Sequence, residues 1–359
     1  MVVIIPNKRL EFDNLCYEFP YRLDDFQMNG IYGFENSNHI LITAHTSAGK
    51  STLAEYAIAK SLQLNKKVIY TSPIKTLSNQ KYFDFKNRFD DIGILTGDIK
   101  LNPESKCLIM TTEILRNKID TENDSFEDVH CVIFDEVHYF NDPDRGFVWE
   151  ESITKLPDNI LIIMLSATID KSEQFAQWVS NIKNRDVYLI GTKYRPVPLK
   201  HYIFKDDNIH HIYSEHSGVN NQNLELGLKE DNIKPITLLN KISNFLKNKS
   251  LFPAIVFTFS RKKCERYALM LKKGESLLTI EEQKELKVIL YKIFATNLNI
   301  YKDIPSTLNI IELLYHGVAY HHSGLIPIQK EIIEILFQKG FVKILFATET
   351  FAVGVNMPT

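Results

Sequence analysis

The sequence predicts an α/β protein made of two successive domains, each a parallel β-sheet wound with helices. Three observations carry this expectation. Short apolar, β-branched runs alternate with helical stretches through the first half of the chain. One strand–helix junction bears a phosphate-binding string. A break with Pro196 and Pro198 separates the first series of runs from a second.

The strand candidates are His39–Thr43, Lys67–Thr71, Cys107–Thr111, Val129–Phe134, Ile160–Leu165 and Val187–Ile190. Runs of about 4–8 apolar residues without alternation suit strands buried on both faces. Helical patterns lie between them, as at Ser51–Leu64 and Thr76–Phe85, and this order implies a doubly wound parallel sheet. Prolines favour extended backbone and stop helices, so 193–200 is read as a linker. The first domain is then 1–192 and the second 201–359. The second domain shows strand runs at Ala254–Thr258 and Val342–Ala347, with a charged helical stretch over about 261–298 between them. Residues from about 205 to 233, rich in Asn, His and charge, read as an exposed loop or hairpin.

A chain of 359 residues is too long for one ordinary domain. With 44% hydrophobic and 24% charged residues it is globular and not disordered. The net charge of -2 means that any nucleic-acid binding must come from a local groove. Cys16, Cys107, Cys131 and Cys264 form no CxxC pair and read as buried thiols of a reducing compartment. The apolar run Met1–Ile5 is far too short for a signal peptide or a membrane span. The expectation is an intracellular protein of cytoplasm or nucleus, neither secreted nor embedded in a membrane.

Ala44-His45-Thr46-Ser47-Ala48-Gly49-Lys50-Ser51 follows a predicted strand and opens a predicted helix, which is the setting a phosphate loop needs. Small residues let backbone N–H groups close on phosphate oxygens, and the helix N-terminus adds its positive end. Lys50 would reach the β- and γ-phosphates, and the Ser51 hydroxyl would bind Mg²⁺. Thr52 follows in the first helical turn. Ala44 stands where the usual pattern has glycine.

Val132-Ile133-Phe134-Asp135-Glu136-Val137-His138 puts two carboxylates at the end of a buried strand. Asp135 is the candidate to hold Mg²⁺ opposite Ser51. Glu136 would deprotonate the attacking water, and His138 would sit near the γ-phosphate. Asp-Glu alone is common at strand ends; order and spacing single this pair out. The phosphate loop lies upstream, and Ser166-Ala167-Thr168 ends another strand downstream. Ligands of open parallel sheets bind at the carboxyl ends of strands.

With these motifs in order, the chain resembles superfamily 2 DExH-box helicases, and longer strings resemble the superkiller-type, exosome-associated RNA helicases. Thr71 to Lys81 looks like motif Ia of that family, Gly93 to Asp98 and Thr111 to Arg116 like the next two nucleic-acid motifs, and Tyr194 to Leu199 like its linker. Phe134 to Phe140 with Arg145-Gly146 and Trp149-Glu150-Glu151 resembles its extended motif II. Ile255 to Ser260 resembles motif IV, His321 to Leu325 motif IVa, and Ala347 to Pro358 motif V.

The resemblance implies two tandem RecA-like domains of the P-loop NTPase type and an ATP-dependent RNA helicase that uses ATP and Mg²⁺. It implies single-stranded RNA, or a duplex with a single-stranded tail, as substrate, and an exosome-type RNA-degrading assembly as partner. Tyr21 would stack on adenine, Gln27 would bond its edge, and Gly354 would join the nucleotide site. Nucleic-acid contacts carried over are Pro73, Gln80, Gly97, Asp98, Thr111, Thr112, Glu113, Arg116, Thr258, Thr348, Glu349 and Thr350. The His321-His322 pair could suggest a metal, but adjacent side chains rarely converge on one ion. Lys262-Lys263 and Lys272-Lys273 read as solvated helix faces.

The family carries a further motif VI, Gln…Gly-Arg-x-Gly-Arg, beyond the position of Pro358. The sequence stops at Thr359. The second RecA-like domain is therefore expected to be incomplete, the chain being either a truncated or split product or a fragment completed by a second chain, and ATP hydrolysis by it is expected to be slow. Two rivals stay open at this point: a DNA helicase of the same superfamily, and a non-catalytic, nucleotide-dependent RNA-binding module.

Overall fold

A computed structural model describes the chain except for residues 6, 7, 11, 13, 14, 47, 122–125, 168, 193, 196, 230–232, 273, 295–303 and 352–359, and the side chains of Ile293, Phe294 and Thr350. The chain divides into two compact units, Met1–Pro196 and Val197–Thr359.

The first unit is a parallel sheet covered on both faces. Its strands in chain order are β1 (Val2–Ile4), β2 (His39–Ala44), β3 (Lys67–Ser72), β4 (Ile92–Leu95), β5 (Lys100–Leu101), β6 (Cys107–Thr111), β7 (Val129–Phe134), β8 (Leu161–Ser166) and β9 (Val187–Thr192). In space they run β1-β9-β2-β8-β7-β3-β6-β4-β5, and every pairing is parallel except β4 with β5. This is the α/β class the sequence predicts.

Residue alternation along the strands builds two cores. Ile40, Ile42, Ile133, Ile163 and Leu165 face one side; Leu41, Val132, Phe134, Ile162 and Met164 face the other. On the first side lie α1 (Asp25–Glu35), α2 (Ser51–Gln63) and α3 (Lys75–Lys86), which bring Phe26, Ile31, Leu53, Tyr56 and Phe85. On the second lie α4 (Thr112–Thr121), α5 (Gly146–Lys155) and α6 (Ser172–Lys183), with Leu115, Trp149, Ile153 and Val179. Each fully buried Leu, Ile or Phe contributes roughly 1.5–3 kcal/mol relative to an exposed one.

All six strand runs of the first half are present. Three further strands escaped the sequence reading. β1, β4 and β5 are too short for a periodicity to show, and tertiary pairing makes them strands. β1 is held by β9 and by the terminal ammonium, which donates to Ser180 Oγ at 2.6 Å and to Asp186 Oδ1 at 2.8 Å.

The second unit opens with β10 (Lys200–Lys205), β11 (Asn208–Ser214) and β12 (Gly218–Val219), an antiparallel sheet, then α7 (Asn221–Leu228). The stretch read as loop or hairpin is thus a hairpin followed by a helix. A second sheet is parallel: β13 (Ala254–Phe257), β14 (Val318–His321) and β15 (Ile344–Ala347), with β15 central. β14 was not counted among the strand runs because it is only four residues long, starting after Gly317 and ending on the first histidine of the His321-His322 pair. The charged stretch over 261–298 resolves into helices Arg261–Leu271 and Ile280–Phe294. Cys107, Cys131 and Cys264 are buried; Cys16 is only half-buried, contrary to expectation, because it lies in the irregular segment before α1. No described helix is long and apolar enough to cross a membrane.

His39 opens β2 and is completely buried. Its Nδ1 accepts the Ile162 N–H at 3.0 Å. Burial, then the charges of Arg185 and Lys183, push its pKa down to about 3, with Asp158 opposing. An unfolded chain would protonate this ring below about pH 6.5, whereas the folded one refuses the proton until far lower pH. The stability it contributes is therefore present above that value and lost as pH falls toward 3. Going from about pH 7 to about pH 5 should remove about 2 kcal/mol through this group. Urea unfolding of the wild type and of His39→Asn, whose amide oxygen can still accept the Ile162 N–H, checks this. The variant should show the flatter pH dependence; equal slopes would clear His39 of the effect.

Candidate functional site

Parallel pairing aligns the carboxyl ends of β2, β8, β7 and β3 side by side, so Ala44, Ser166, Phe134 and Ser72 end on one rim of the sheet. The phosphate string, Ser166-Ala167 and the Asp135-Glu136 pair leave from that rim. Thr168 and Ser47, called with these motifs, lie outside the described residues.

The loop after β2 turns tightly: the Ala48 N–H donates to the His45 carbonyl at 3.2 Å. Ala44 is buried at the strand end, Thr46 is exposed, and Ser51 opens α2. Gly49 has φ +87, a backbone that favours glycine, and a Cβ there would meet Gln27 Nε2 at 2.5 Å and push that amide aside. Lys50 is buried; its Nζ donates to the carbonyls of Ala44 at 2.9 Å and His45 at 3.1 Å. Burial lowers its pKa, while the neighbouring Glu136 and Asp135 carboxylates act to raise it.

Gln27 braces this loop. Its Oε1 accepts the Asp24 N–H at 2.8 Å, and its Nε2 donates at 3.1 Å both to the Gly49 carbonyl and to Thr52 Oγ1. Tyr21 is partly exposed, and its hydroxyl lies 3.1 Å from Thr52 Oγ1. The structure thus gathers Tyr21, Gln27, Gly49 and Thr52 into one cluster. Both amide hydrogens of Gln27 are already engaged, so it would have to release one to donate to a base.

Asp135 continues the β3–β7 pairing one step, its N–H donating to the Thr71 carbonyl at 2.9 Å. Its buried carboxylate accepts the Tyr70 hydroxyl through Oδ2 and the Glu136 N–H through Oδ1 at 3.0 Å. Glu136 is left-handed, φ 51 and ψ 46. Burial raises its pKa first, the Asp135 charge second; Lys50, Lys81 and a bond to the Ala167 backbone oppose. Its Oε2 is buried without a hydrogen-bond partner. His138 Nδ1 lies 3.3 Å from that oxygen, in contact but not in hydrogen-bond geometry, and 3.5 Å from Ser166 Oγ. Burial and then Lys50 lower the His138 pKa, so its ring is neutral at neutral pH.

A separate cleft of about 540 Å³ is lined by Pro73, Lys75, Thr76, Gly97, Thr111 and Glu113, among others. Arg145 ties its wall: Nη2 donates to the Pro73 carbonyl at 2.5 Å and bonds Glu113, and the guanidinium lies 5.7 Å from the Trp149 ring centroid. Asp98 pairs with Lys75 at 2.7 Å. The Thr112 hydroxyl donates to the Ser72 carbonyl at 3.4 Å. Gln80, half-buried on α3, and Arg116, paired with Glu151 at 2.5 Å, are not brought into this cleft.

In the second unit the strand ends again gather polar residues. Thr258 is buried, and its hydroxyl lies 2.8 Å from Cys264 Sγ. The Thr348 N–H donates to the His321 carbonyl at 3.2 Å, and Glu349 is exposed. His321 and His322 each take their own glutamate, Glu334 at 2.8 Å and Glu265 at 3.0 Å, so they do not form a joint metal site. Lys272 bonds Glu312. Gly354 and the side chain of Thr350 lie outside the described residues.

The donor set around Lys50 fits a nucleotide phosphate with a divalent cation: a helix N-terminus, a buried ammonium, the Ser51 hydroxyl and the buried carboxylates. No group of three or more His, Cys, Asp or Glu converges on a metal among the described residues. Few protein ligands suit Mg²⁺, which usually binds through one or two side chains and phosphate oxygens. The sequence reading gave no role to Tyr70, Arg145 or Lys81, although the last two lie within its motif strings. Tyr70 could have been found as the one polar-tipped ring in an apolar run beside the carboxylate strand.

Residues 24–175 match the DEAD/DEAH box helicase family. The chain is similar to the human Exosome RNA helicase MTR4, 41% identical over 359 aligned residues that cover 95% of this chain and 34% of that protein. It is 42% identical to the human Superkiller complex protein 2 over 374 residues, covering 96% of this chain and 30% of that one. It is 38% identical to the Antiviral helicase SKI2 of Saccharomyces cerevisiae over 430 residues, covering 100% of this chain and 33% of that one. The chain spans about a third of the length of these relatives.

Removing the Tyr70 hydroxyl strips a buried carboxylate oxygen of its donor. Tyr70→Phe should therefore lower the unfolding free energy by about 1.5–3 kcal/mol, the scale of a hydrogen bond to a charged group. Urea titration measures it, and an unchanged midpoint would mean that the bond to Asp135 has no net weight.

Proposed function

We propose that the chain is an ATP-dependent RNA helicase of the DExH type, a reading supported by the match of residues 24–175 to the DEAD/DEAH box helicase family and by the likeness to exosome RNA helicases. The observation that supports this most is the single rim on which a buried lysine, a helix N-terminus and two carboxylates meet. In this reading 1–192 is the ATP-binding domain, 193–200 the linker, and 201–359 the second helicase domain.

Lys50 is held by two loop carbonyls and exchanges them for phosphate oxygens, a stronger, charge-assisted partner. Ser51 and Asp135 would hold Mg²⁺, which supplies charge neutralisation at the phosphates. The Tyr70 hydroxyl and the Glu136 N–H orient Asp135. Glu136 is the general base: its carboxyl is already raised by burial, and its free Oε2 has lone pairs left for a water. A neutral His138 beside it can orient that oxygen without cancelling its charge. Tyr21 offers its ring to adenine, and Gln27 sets the loop.

Single-stranded RNA would lie along Pro73, Gly97, Asp98, Thr111, Thr112 and Glu113 of the first unit, with Gln80 and Arg116 flanking. Thr258, Thr348, Glu349 and Thr350 would serve in the second. Phosphate contacts of this kind position a strand without reading its bases. An exosome-type assembly as partner, and the cytoplasm or nucleus as compartment, belong to the same proposal.

Steady-state phosphate release, with RNA and DNA single strands of the same sequence at low salt, tests the reading. The RNA should stimulate turnover more than the DNA. Glu136→Gln should keep binding of a fluorescent ATP analogue and lower turnover at least about 100-fold, the scale of losing a general base. Because the base must be ionised and its carboxyl is raised, the acid limb of the wild-type rate should begin above the usual carboxylate range. Absence of nucleotide binding by the wild type would sink the proposal, and equal stimulation by DNA would remove the RNA assignment.

A further inference from the structure

Lys81 sits on α3, a helix that no reading above assigns to the nucleotide. Its Nζ nevertheless donates to Ser51 Oγ at 2.8 Å, the first residue of α2 and the hydroxyl expected to bind a metal. In the turn just past the end of α3, Arg88 forms an ion pair with Glu55 of α2. Lys81 and Arg88 thus stitch α3 to the helix that follows the phosphate loop. The two stitches differ in kind. Arg88 has a carboxylate for a partner, whereas Lys81 has a neutral hydroxyl.

Lys81 faces charges of both signs, Lys50 on one side and the Glu55 and Glu136 carboxylates on the other. Its ammonium is at the N-terminus of α2, where the helix presents its positive end. It is also near enough to Lys50 for the two charges to oppose each other. Asp135 and Glu136 act on Lys50, and Glu136 and Glu55 feel the Lys81 charge too, but the hydrogen bond Lys81 makes is to the neutral Ser51 hydroxyl. Two ammonium groups and a helix N-terminus converging on one loop can together receive phosphate oxygens.

We propose that Lys81 is a second phosphate-binding lysine, resting on the Ser51 hydroxyl and turning onto phosphate oxygens when nucleotide fills the loop, so that α3 registers the filling. The proposal rests on the nucleotide-site reading given above. It frees the Ser51 hydroxyl for its own ligand at the same moment. It also has a mechanical side. The first turn of α3 supplies Lys75 and Thr76 to the cleft that also holds Pro73 and Gly97. A pull on Lys81 is a pull on the helix that borders this cleft.

The experiment compares the wild type with Lys81→Met, Lys81→Arg, Arg88→Met and Lys50→Ala. Binding of a fluorescent ATP analogue with Mg²⁺ is measured first. A short oligouridylate is then titrated with and without saturating nucleotide. Lys81→Met should bind the analogue about 10-fold more weakly, as expected for one lost charge-assisted contact, and Lys81→Arg should recover most of the loss. Arg88→Met should melt earlier but bind like the wild type. Nucleotide should shift oligouridylate affinity in the wild type and in Arg88→Met, and much less in Lys81→Met.

Unchanged analogue affinity in Lys81→Met, or equal changes in Lys81→Met and Arg88→Met, would reduce Lys81 to a strut and overturn the proposal. Tighter binding in Lys81→Met would overturn it too, by making the lysine a mere occupant. If the wild type binds no analogue, and so matches Lys50→Ala, the nucleotide-site reading falls and this proposal with it. That outcome is told apart by the wild type alone.

Discussion

The parallel pairing of β2, β8, β7 and β3 is the constraint on which the rest depends. Each strand ends within a residue or two of its neighbour, and the bond from the Asp135 N–H to the Thr71 carbonyl carries the β3–β7 ladder to the last step before the chain turns away. A slip of one residue would send alternate side chains to the opposite face. Phe134 and Ile133 would exchange cores, and Asp135 would lose Tyr70. The buried faces therefore fix the chemistry at the rim, although no core residue takes part in it.

Two buried lysines show how one device serves two ends. Lys183 places its Nζ on the carbonyls of Thr154, at 2.9 Å, and Leu156, with Asp158 at 3.5 Å. Lys50 does the same with Ala44 and His45. In both, burial lowers the pKa, and carboxylates oppose it. What differs is the surroundings. Lys183 closes the end of α5 onto α6, between elements that are otherwise complete. Lys50 lies in a glycine-hinged loop beside two more carboxylates, where its carbonyl partners can be exchanged. A buried ammonium on backbone oxygens says little by itself; the neighbouring charges decide whether it is a brace or a site.

Much of this was legible in the sequence because it rests on local pattern. Uninterrupted apolar runs marked the six inner strands, and motif strings fixed Lys50, Ser51, Asp135, Glu136 and His138 to strand ends. What escaped depends on distant pairing. β1 is a strand because β9 and the α6 side chain Ser180 receive it. Tyr70, Arg145 and Lys81 matter through partners 65, 32 and 30 residues away in sequence, and no window of sequence contains both ends. Gln27 was singled out as a candidate site residue by the resemblance alone, and its bonds to Gly49 and Thr52 show it bracing the loop, a duty that only the folded arrangement reveals.

The left-handed backbone at Glu136 has a consequence for how this sequence can drift. Successive residues of an extended strand point to opposite faces, so two adjacent carboxylates would ordinarily part company. The positive φ turns the chain out of the strand at that step, and both acids come within electrostatic reach of Lys50. Valine, isoleucine and threonine are ill suited to such a backbone, whereas asparagine and aspartate tolerate it. On the proposed function, a lineage could thus give up the carboxylate and keep the bend with a short polar residue, leaving a receptor that holds its ligand without consuming it. The reverse path, straightening the bend while keeping the acid, would point that acid away from the loop. On that proposal, loss of turnover is a short mutational walk from this architecture, and its recovery asks only for the carboxylate, since the bend would still be in place.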